Sequence, residues 1–213
     1  MKRCFIFSAG TFFGMRELPG DGDLTIAADA GYRTCLKAGI VPDVLLGDFD
    51  SMEQPRNFAS VLRVPVEKDD TDTMLAAQEG LRRGCGEFYF YGATGGKRLD
   101  HTLANLQTLL WLRQHSARGY LYDDDFVYTA IRNETLTIHK KVEWGLVSVF
   151  CFGAEARGIY EDGMQYFLKN ASLSASQPLG VSNHITSEEA RVTVRDGELI
   201  VGWELPPLGT SIL

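Results

Sequence analysis

The 213 residues predict an α/β unit with a doubly wound, mostly parallel sheet, followed by an all-β unit built as an antiparallel sandwich. Three observations predict it. Short apolar runs alternate with helical patterns up to about residue 115, the order that βαβ units produce. From Tyr120 onward no stretch keeps a helical period, and β-branched or aromatic runs follow one another instead. Turn residues separate those runs at Asn133, Gly145, Gly153, Asp162-Gly163 and Asp196-Gly197. The expected division is 1–116 and 117–213, with the boundary around Arg113 to Gly119.

Arg3 to Phe7 is the first strand, and a glycine-rich loop from Ala9 to Gly22 follows it. Leu24 to Ala28 is the second apolar run, broken at Asp29-Ala30-Gly31. A short helix then runs to Lys37 and stops at Gly39 and Pro42. Val44 to Leu46 is a buried strand, and Val61 to Val66 another despite Pro65. A helix from about Thr73 to Arg83 puts Leu75, Ala76 and Leu81 near one face. Glu87 to Tyr91 is the next strand. The longest helix spans Leu99 to His115, with Leu103, Leu106 and Leu110 on one stripe. In the second half the strand-like runs include Phe126 to Ile131, Thr135 to His139, Leu146 to Phe152, Arg191 to Arg195 and Glu198 to Trp203. Asp196-Gly197 reads as a two-residue hairpin turn between the last two.

Composition bounds the partners. A net charge of -7 argues against a general nucleic-acid or anionic-membrane surface. No stretch approaches the ~20 apolar residues of a membrane span. The apolar run after Met1-Lys2-Arg3 is too short for a signal peptide, and a glycine loop rather than a cleavage region follows it. Cys4, Cys35, Cys85 and Cys151 are scattered with no CxxC pair. That usage fits a reducing cytoplasm rather than a disulfide framework.

The chemistry gathers at strand ends. Val44-Leu45-Leu46-Gly47-Asp48-Phe49-Asp50-Ser51 is a strand that ends in two carboxylates at a spacing of two. In extended backbone those side chains point the same way. Two close carboxylates repel unless a cation lies between them, and Mg²⁺ takes oxygen ligands while leaving room for phosphates. A solvated acidic turn, with Asp50-Ser51 capping a helix, has the same signature. Lys68-Asp69-Asp70-Thr71-Asp72-Thr73 opens the next helix. Its acids serve as caps or, at Asp72, as a further metal-side carboxylate; Lys68 offsets charge or touches a phosphate. Gly92-Ala93-Thr94-Gly95-Gly96-Lys97-Arg98-Leu99-Asp100-His101 is a third strand-to-helix turn, able to aim backbone N–H groups at an anion. It is not a Walker A loop, because Arg98 stands where Ser or Thr belongs. Asp29 either meets a ribose or holds its loop.

This ordered set, with Asn105 and the late Gly180-Val181-Ser182-Asn183, resembles the thiamine pyrophosphokinase family across both halves of the chain. The resemblance implies an ATP-binding α/β unit, a thiamine-binding β-sandwich, and a homodimer with active sites where the subunits meet. It implies transfer of the terminal pyrophosphate of ATP to thiamine, giving thiamine diphosphate and AMP, with Mg²⁺. Asp48, Asp50, Asp72 and Asp100 match the family's acidic catalytic positions, the first three as metal ligands. Asp29, Gly31, Lys68, Thr94, Gly95, Gly96, Arg98 and His101 fall on the ATP side. Tyr166, within Gly163-Met164-Gln165-Tyr166, stands where the family often has a Trp that stacks on thiamine. Ser182 and Asn183 match its thiamine-proximal Ser-Asn, although Gly180-Val181 departs from the commoner Gly-Thr approach. Asp72 or Asp100 is the candidate general base. Two other readings share part of the pattern. Asp48-Phe49-Asp50 imitates the nucleophile motif of haloacid-dehalogenase-like phosphohydrolases, and a non-catalytic nucleotide or thiamine sensor needs the same fold.

Overall fold

A computed structural model describes residues 1–47, 60–63 and 69–209. Asp48, Asp50, Lys68 and the expected strand beyond Arg63 lie outside the described residues. The chain forms two compact units, Met1–Asp124 and Asp125–Leu213.

The first unit contains strands β1 (Lys2–Phe7), β2 (Leu24–Ala28), β3 (Val44–Gly47), β4 (Val61–Arg63), β5 (Cys85–Tyr91) and β6 (Arg118–Tyr122). Its helices are α1 (Gly31–Lys37), α2 (Asp72–Arg82) and α3 (Leu99–Gln114). Its strands pair side by side in the order β6-β5-β1-β2-β3-β4, each pair parallel. Both faces are covered. Cys35 of α1 packs with Phe5 and Phe7 on one face of β1. Gly80 of α2 lies against Cys4 and Phe88, and Leu109 and Leu112 of α3 against Gly119 and Phe90, on the other. This is why β1, β2 and β3 read as unbroken apolar runs rather than alternating ones. The unit ends later than the expected boundary, because β6 pairs in parallel with β5.

The helices bury other faces than the leucine pattern suggests. In α2 the buried residues are Thr73, Ala76, Ala77, Glu79 and Gly80, while Leu75 and Leu81 are only half-buried. Small residues let this helix close on the sheet: a Cβ at Gly80 would stand 2.5 Å from the Phe88 ring. In α3 the buried residues are Asn105, Thr108, Leu109 and Leu112, not the Leu103, Leu106 and Leu110 stripe. Asn105 and Thr108 enter the interior because each finds a carbonyl, Ala93 O at 2.7 Å and Ala104 O at 3.1 Å.

The second unit contains β7 (Phe126–Arg132), β8 (Thr135–His139), β9 (Leu146–Phe150), β10 (Ala156–Asp162), β11 (Leu168–Leu173), β12 (Gly180–His184), β13 (Glu189–Thr193) and β14 (Glu198–Glu204). They form two antiparallel layers, β12-β9-β14-β7 and β11-β10-β13-β8. Ile131, Val147, Val149 and Val201 of one layer share a buried core with Ile138, Ile159 and Val192 of the other. That is the expected sandwich. Asp196-Gly197 is not a hairpin turn. β13 pairs with β8 and β10, whereas β14 pairs with β7 and β9, so the chain changes layers there. Local alternation marks the turn but carries no information about which strand each arm will pair with.

Candidate active site

In the first unit β1 leads to β2 on one side, and β5 leads to β6 on the other. The carboxyl ends of β1 and β5 therefore flank a topological switch point, where open α/β sheets hold ligands. A hollow of about 250 Å³ lies there. Ser8, Ala9 and Gly10 after β1, Ala28 and Asp29 at the end of β2, and Thr71, Asp72 and Thr73 at the start of α2 line it. The remaining wall is the turn from Gly92 to Arg98, with His101, Thr102 and Asn105 of α3.

Hydroxyls and amides hold these strand ends together. Ser8 Oγ and Thr73 Oγ1 share a buried hydrogen bond of 2.9 Å, and Thr34 Oγ1 donates to Ser8 O at 3.0 Å. Thr94 Oγ1 donates to Asp123 Oδ1 at 2.8 Å. Gly95 and Gly96 take positive φ of 68° and 78°, which turns successive peptide groups in a way most side chains resist. Asn105 ties the preceding Ala93 carbonyl to α3. The cap of α2 is Thr71, whose Oγ1 accepts from Met74 N at 3.2 Å. Asp70 instead accepts from Gln78 Nε2 at 3.0 Å. Thr71 thus does the capping expected of the acids, and Asp72 stands in the first turn on the wall of the hollow.

The expected residues fall in four groups. Asp29, Asp72, Thr94, Gly95, Gly96, Arg98 and His101 line one hollow. Gly31 does not; it is buried with its Cα against the Phe7 carbonyl. Asp100 is not on the wall either, and Arg98 clasps its carboxylate at 2.6 to 3.1 Å. Tyr166, Ser182 and Asn183 belong to the second unit, and Asp48, Asp50 and Lys68 lie outside the described residues. Thr71, Thr73 and Thr102 line the hollow without having been singled out from sequence. Their signal was position alone, at helix starts following strands.

The Arg98 guanidinium holds the Asp100 carboxyl down to about 2, by hydrogen bonds first and by charge. A carboxyl depressed in this way is ionised above its ordinary value of 3.8 and gains its proton only as pH falls through about 2. Its ionisation is therefore constant from pH 5 to 8. A carbon-13 titration is expected to place the Asp100 midpoint near 2, and Arg98→Ala to return it toward 3.8. An Asp100 midpoint near 4 in the unsubstituted chain contradicts the pair.

Among the described residues no cluster of three or more His, Cys, Asp or Glu is arranged for a metal. Asp29 and Asp72 on the wall are nonetheless oxygen donors of the kind that hard cations take.

In the second unit Tyr166 and the following Phe167 are exposed. Ser182 has a positive φ of 60° where the β12–β9 register shifts, and its N–H donates to Ser148 Oγ at 3.1 Å. Asn183 is buried, and its amide bonds to the backbone of Tyr166.

Fold and hollow together define a class: an α/β unit with an anion-suited site at its switch point, followed in the same chain by a β-sandwich. Comparison with known proteins narrows the class. Residues 15–121 match the family model described as thiamin pyrophosphokinase, catalytic domain, and residues 133–199 the one described as thiamin pyrophosphokinase, vitamin B1 binding domain. The thiamine pyrophosphokinase of Bacillus subtilis is 30% identical over 210 residues, covering 94% of this chain and 98% of that one. The crystal structure of the Bacillus subtilis enzyme aligns with a TM-score of 0.82 at 26% identity, over 96% of this chain and 99% of that one. A thiamin pyrophosphokinase family protein from Enterococcus faecalis aligns with a TM-score of 0.81 at 25% identity, over 97% and 100%. The chain belongs to the thiamine pyrophosphokinase family.

Proposed function

We propose that this chain is an enzyme transferring the terminal pyrophosphate of ATP to the hydroxyethyl group of thiamine, which releases thiamine diphosphate and AMP. The observation that carries the reading is the hollow at the β1/β5 switch point. Carboxylates, glycine turns and the cations Lys97 and Arg98 converge there, and pyrophosphoryl transfer depends mainly on positioning and neutralising charge.

In this reading the first unit, Met1–Asp124, binds ATP and the second, Asp125–Leu213, binds thiamine. The Gly92–Arg98 turn, Asp29, Lys68 and His101 receive the nucleotide. Asp48, Asp50 and Asp72 would hold Mg²⁺, which would supply charge neutralisation for the phosphates. Arg98 supports developing charge on the transferred group. Asp100, already paired with Arg98, holds that guanidinium, which leaves Asp72 as the better-placed proton acceptor of the two. Gly31 serves the site through backbone packing. Tyr166 and Ser182 form the thiamine side, and Asn183, expected there as a direct contact, is buried behind them with its amide on the Tyr166 backbone. Two chains pair so that the thiamine side of one faces the ATP side of the other. No helix among the described residues is long and apolar enough to cross a membrane, and all four cysteines are free; a cytoplasmic location suits both.

The test is AMP formation from ATP and Mg²⁺, with and without thiamine. AMP that appears only with thiamine, together with thiamine diphosphate, is the expected result. Inorganic phosphate released without thiamine points to a hydrolase. Binding of both compounds with no AMP points to a sensor.

A further inference from the structure

Glu161 is only 2% exposed, inside the sandwich of the second unit. It lies on β10, two residues after buried Ile159, where the strand alternation turns its side chain toward the facing layer. Its Oε2 accepts a hydrogen bond of 3.0 Å from Asn183 Nδ2 on β12 of that layer. Its Oε1 is buried with no hydrogen-bond partner, and a Cβ at Gly180 would come within 3.3 Å of it. Burial raises the proton affinity of this carboxyl. A hydrocarbon side chain would fill the space without that desolvation, so packing alone gives no reason for a carboxyl here.

The reason lies one bond further on. Asn183 Oδ1 accepts from Tyr166 N at 2.9 Å and from His184 N at 3.0 Å. Its Nδ2 donates both protons, one to Tyr166 O and one to Glu161. A flipped amide would set N–H against N–H, so the network defines the orientation. Both lone pairs and both protons of the amide are used within the chain. Asn183 has no group left for a ligand. It clips the backbone of Tyr166 on both its N–H and C=O sides, at the start of a segment whose side chains, Tyr166 and Phe167, stand in solvent at 65% and 76% exposure.

We propose that Glu161 and Asn183 are positioning residues for thiamine: Glu161 fixes the Asn183 amide, and that amide fixes the exposed Tyr166–Phe167 edge on which the thiamine rings are received. The inference rests on the thiamine reading of the second unit and extends it to a buried residue that no motif marked.

Two substitutions separate the clip from general packing. Glu161→Gln keeps an oxygen acceptor for Asn183, and Glu161→Met keeps the volume but removes it. Glu161→Met is expected to raise KM for thiamine about tenfold, with kcat and KM for ATP within about twofold. Glu161→Gln is expected to stay within about threefold of the unsubstituted chain in all three. A folded Glu161→Met with unchanged KM for thiamine overturns the proposal, as does an equal loss in kcat and both KM values. The unsubstituted chain gives a second readout that needs no variant to fold. The Tyr166 amide proton should exchange at least about tenfold slower than an unprotected one, although its side chain is exposed. Fast exchange there overturns the clip. If the unsubstituted chain makes no AMP with thiamine, the functional reading fails and takes this inference with it. If it makes AMP while Glu161→Met keeps its thiamine KM, this inference fails alone.

Discussion

Asp72→Asn is expected to lower thiamine-dependent AMP release by about a hundredfold or more, while the melting temperature falls by no more than a few degrees. The size of the first effect follows from what one charge-stabilising group is worth in a closed site, roughly 2.7 to 4 kcal/mol. The smallness of the second follows from the local structure. Thr71 caps α2, so the helix start does not depend on the Asp72 carboxylate. Among the interactions of this carboxylate, its attraction to the helix dipole, which Asn forfeits, is worth about 0.3–1 kcal/mol. For a chain of this size that is about 2–4 °C at most. Initial rates of AMP formation and a thermal melt on the same preparation separate the effects. Turnover within a few-fold of the unsubstituted chain removes Asp72 from the reaction. The resemblance implies that Asp50 would share a metal ion with Asp72, so Asp50→Ala is expected to abolish AMP release.

Gly31→Ala should act in the opposite way, on stability. A Cβ at Gly31 would stand 1.9 Å from the Phe7 carbonyl oxygen, 2.5 Å from its carbon and 3.0 Å from Ser8 Cα. All three are backbone atoms at the end of β1, which is hydrogen-bonded on one side to β2 and on the other to β5. None can rotate away as a side chain can. Either α1 moves outward or β1 bends; overpacking costs about 1–3 kcal/mol, occasionally more, and an approach this close to backbone atoms belongs at the upper end of that range. A melting temperature lower by about 6–12 °C is the expected reading, with a matching loss in chemical denaturation. A change below about 0.5 kcal/mol would mean that the helix start yields freely. Residual activity at low temperature should suffer less than stability does, since Gly31 is not on the wall of the hollow. The resemblance put Gly31 on the ATP side; the structure supplies another reason for glycine, the approach of two backbones closer than any Cβ allows.

Much of the site was legible because its residues are of the types that anions and cations require, at points where strands end. Asp29, Asp72, Thr94, Gly95, Gly96, Arg98 and His101 stand at such points in the sequence and line one hollow. Asp100 stands among them in the sequence, but whether its carboxylate faces a ligand or an arginine depends on a rotamer. The structure gives it to Arg98. Glu161 had no signal, because an isolated Glu in a strand reads as a solvent-facing position until the opposite layer brings Asn183 to it.

By itself, the order of residues determined the two architectures, the strand ends that carry chemistry and the starts of the helices. These depend on periodicity and on backbone preferences acting over a few residues. Only the tertiary structure decided that β6 pairs with β5, that the chain changes layers at Asp196-Gly197, and that Asn105 and Thr108 rather than Leu103 face inward on α3. The physical reason is the same in each case. Which strand pairs with which, and whether a polar side chain can be buried, depends on a hydrogen-bonding partner that the fold brings from elsewhere in the chain or from the next turn of a helix.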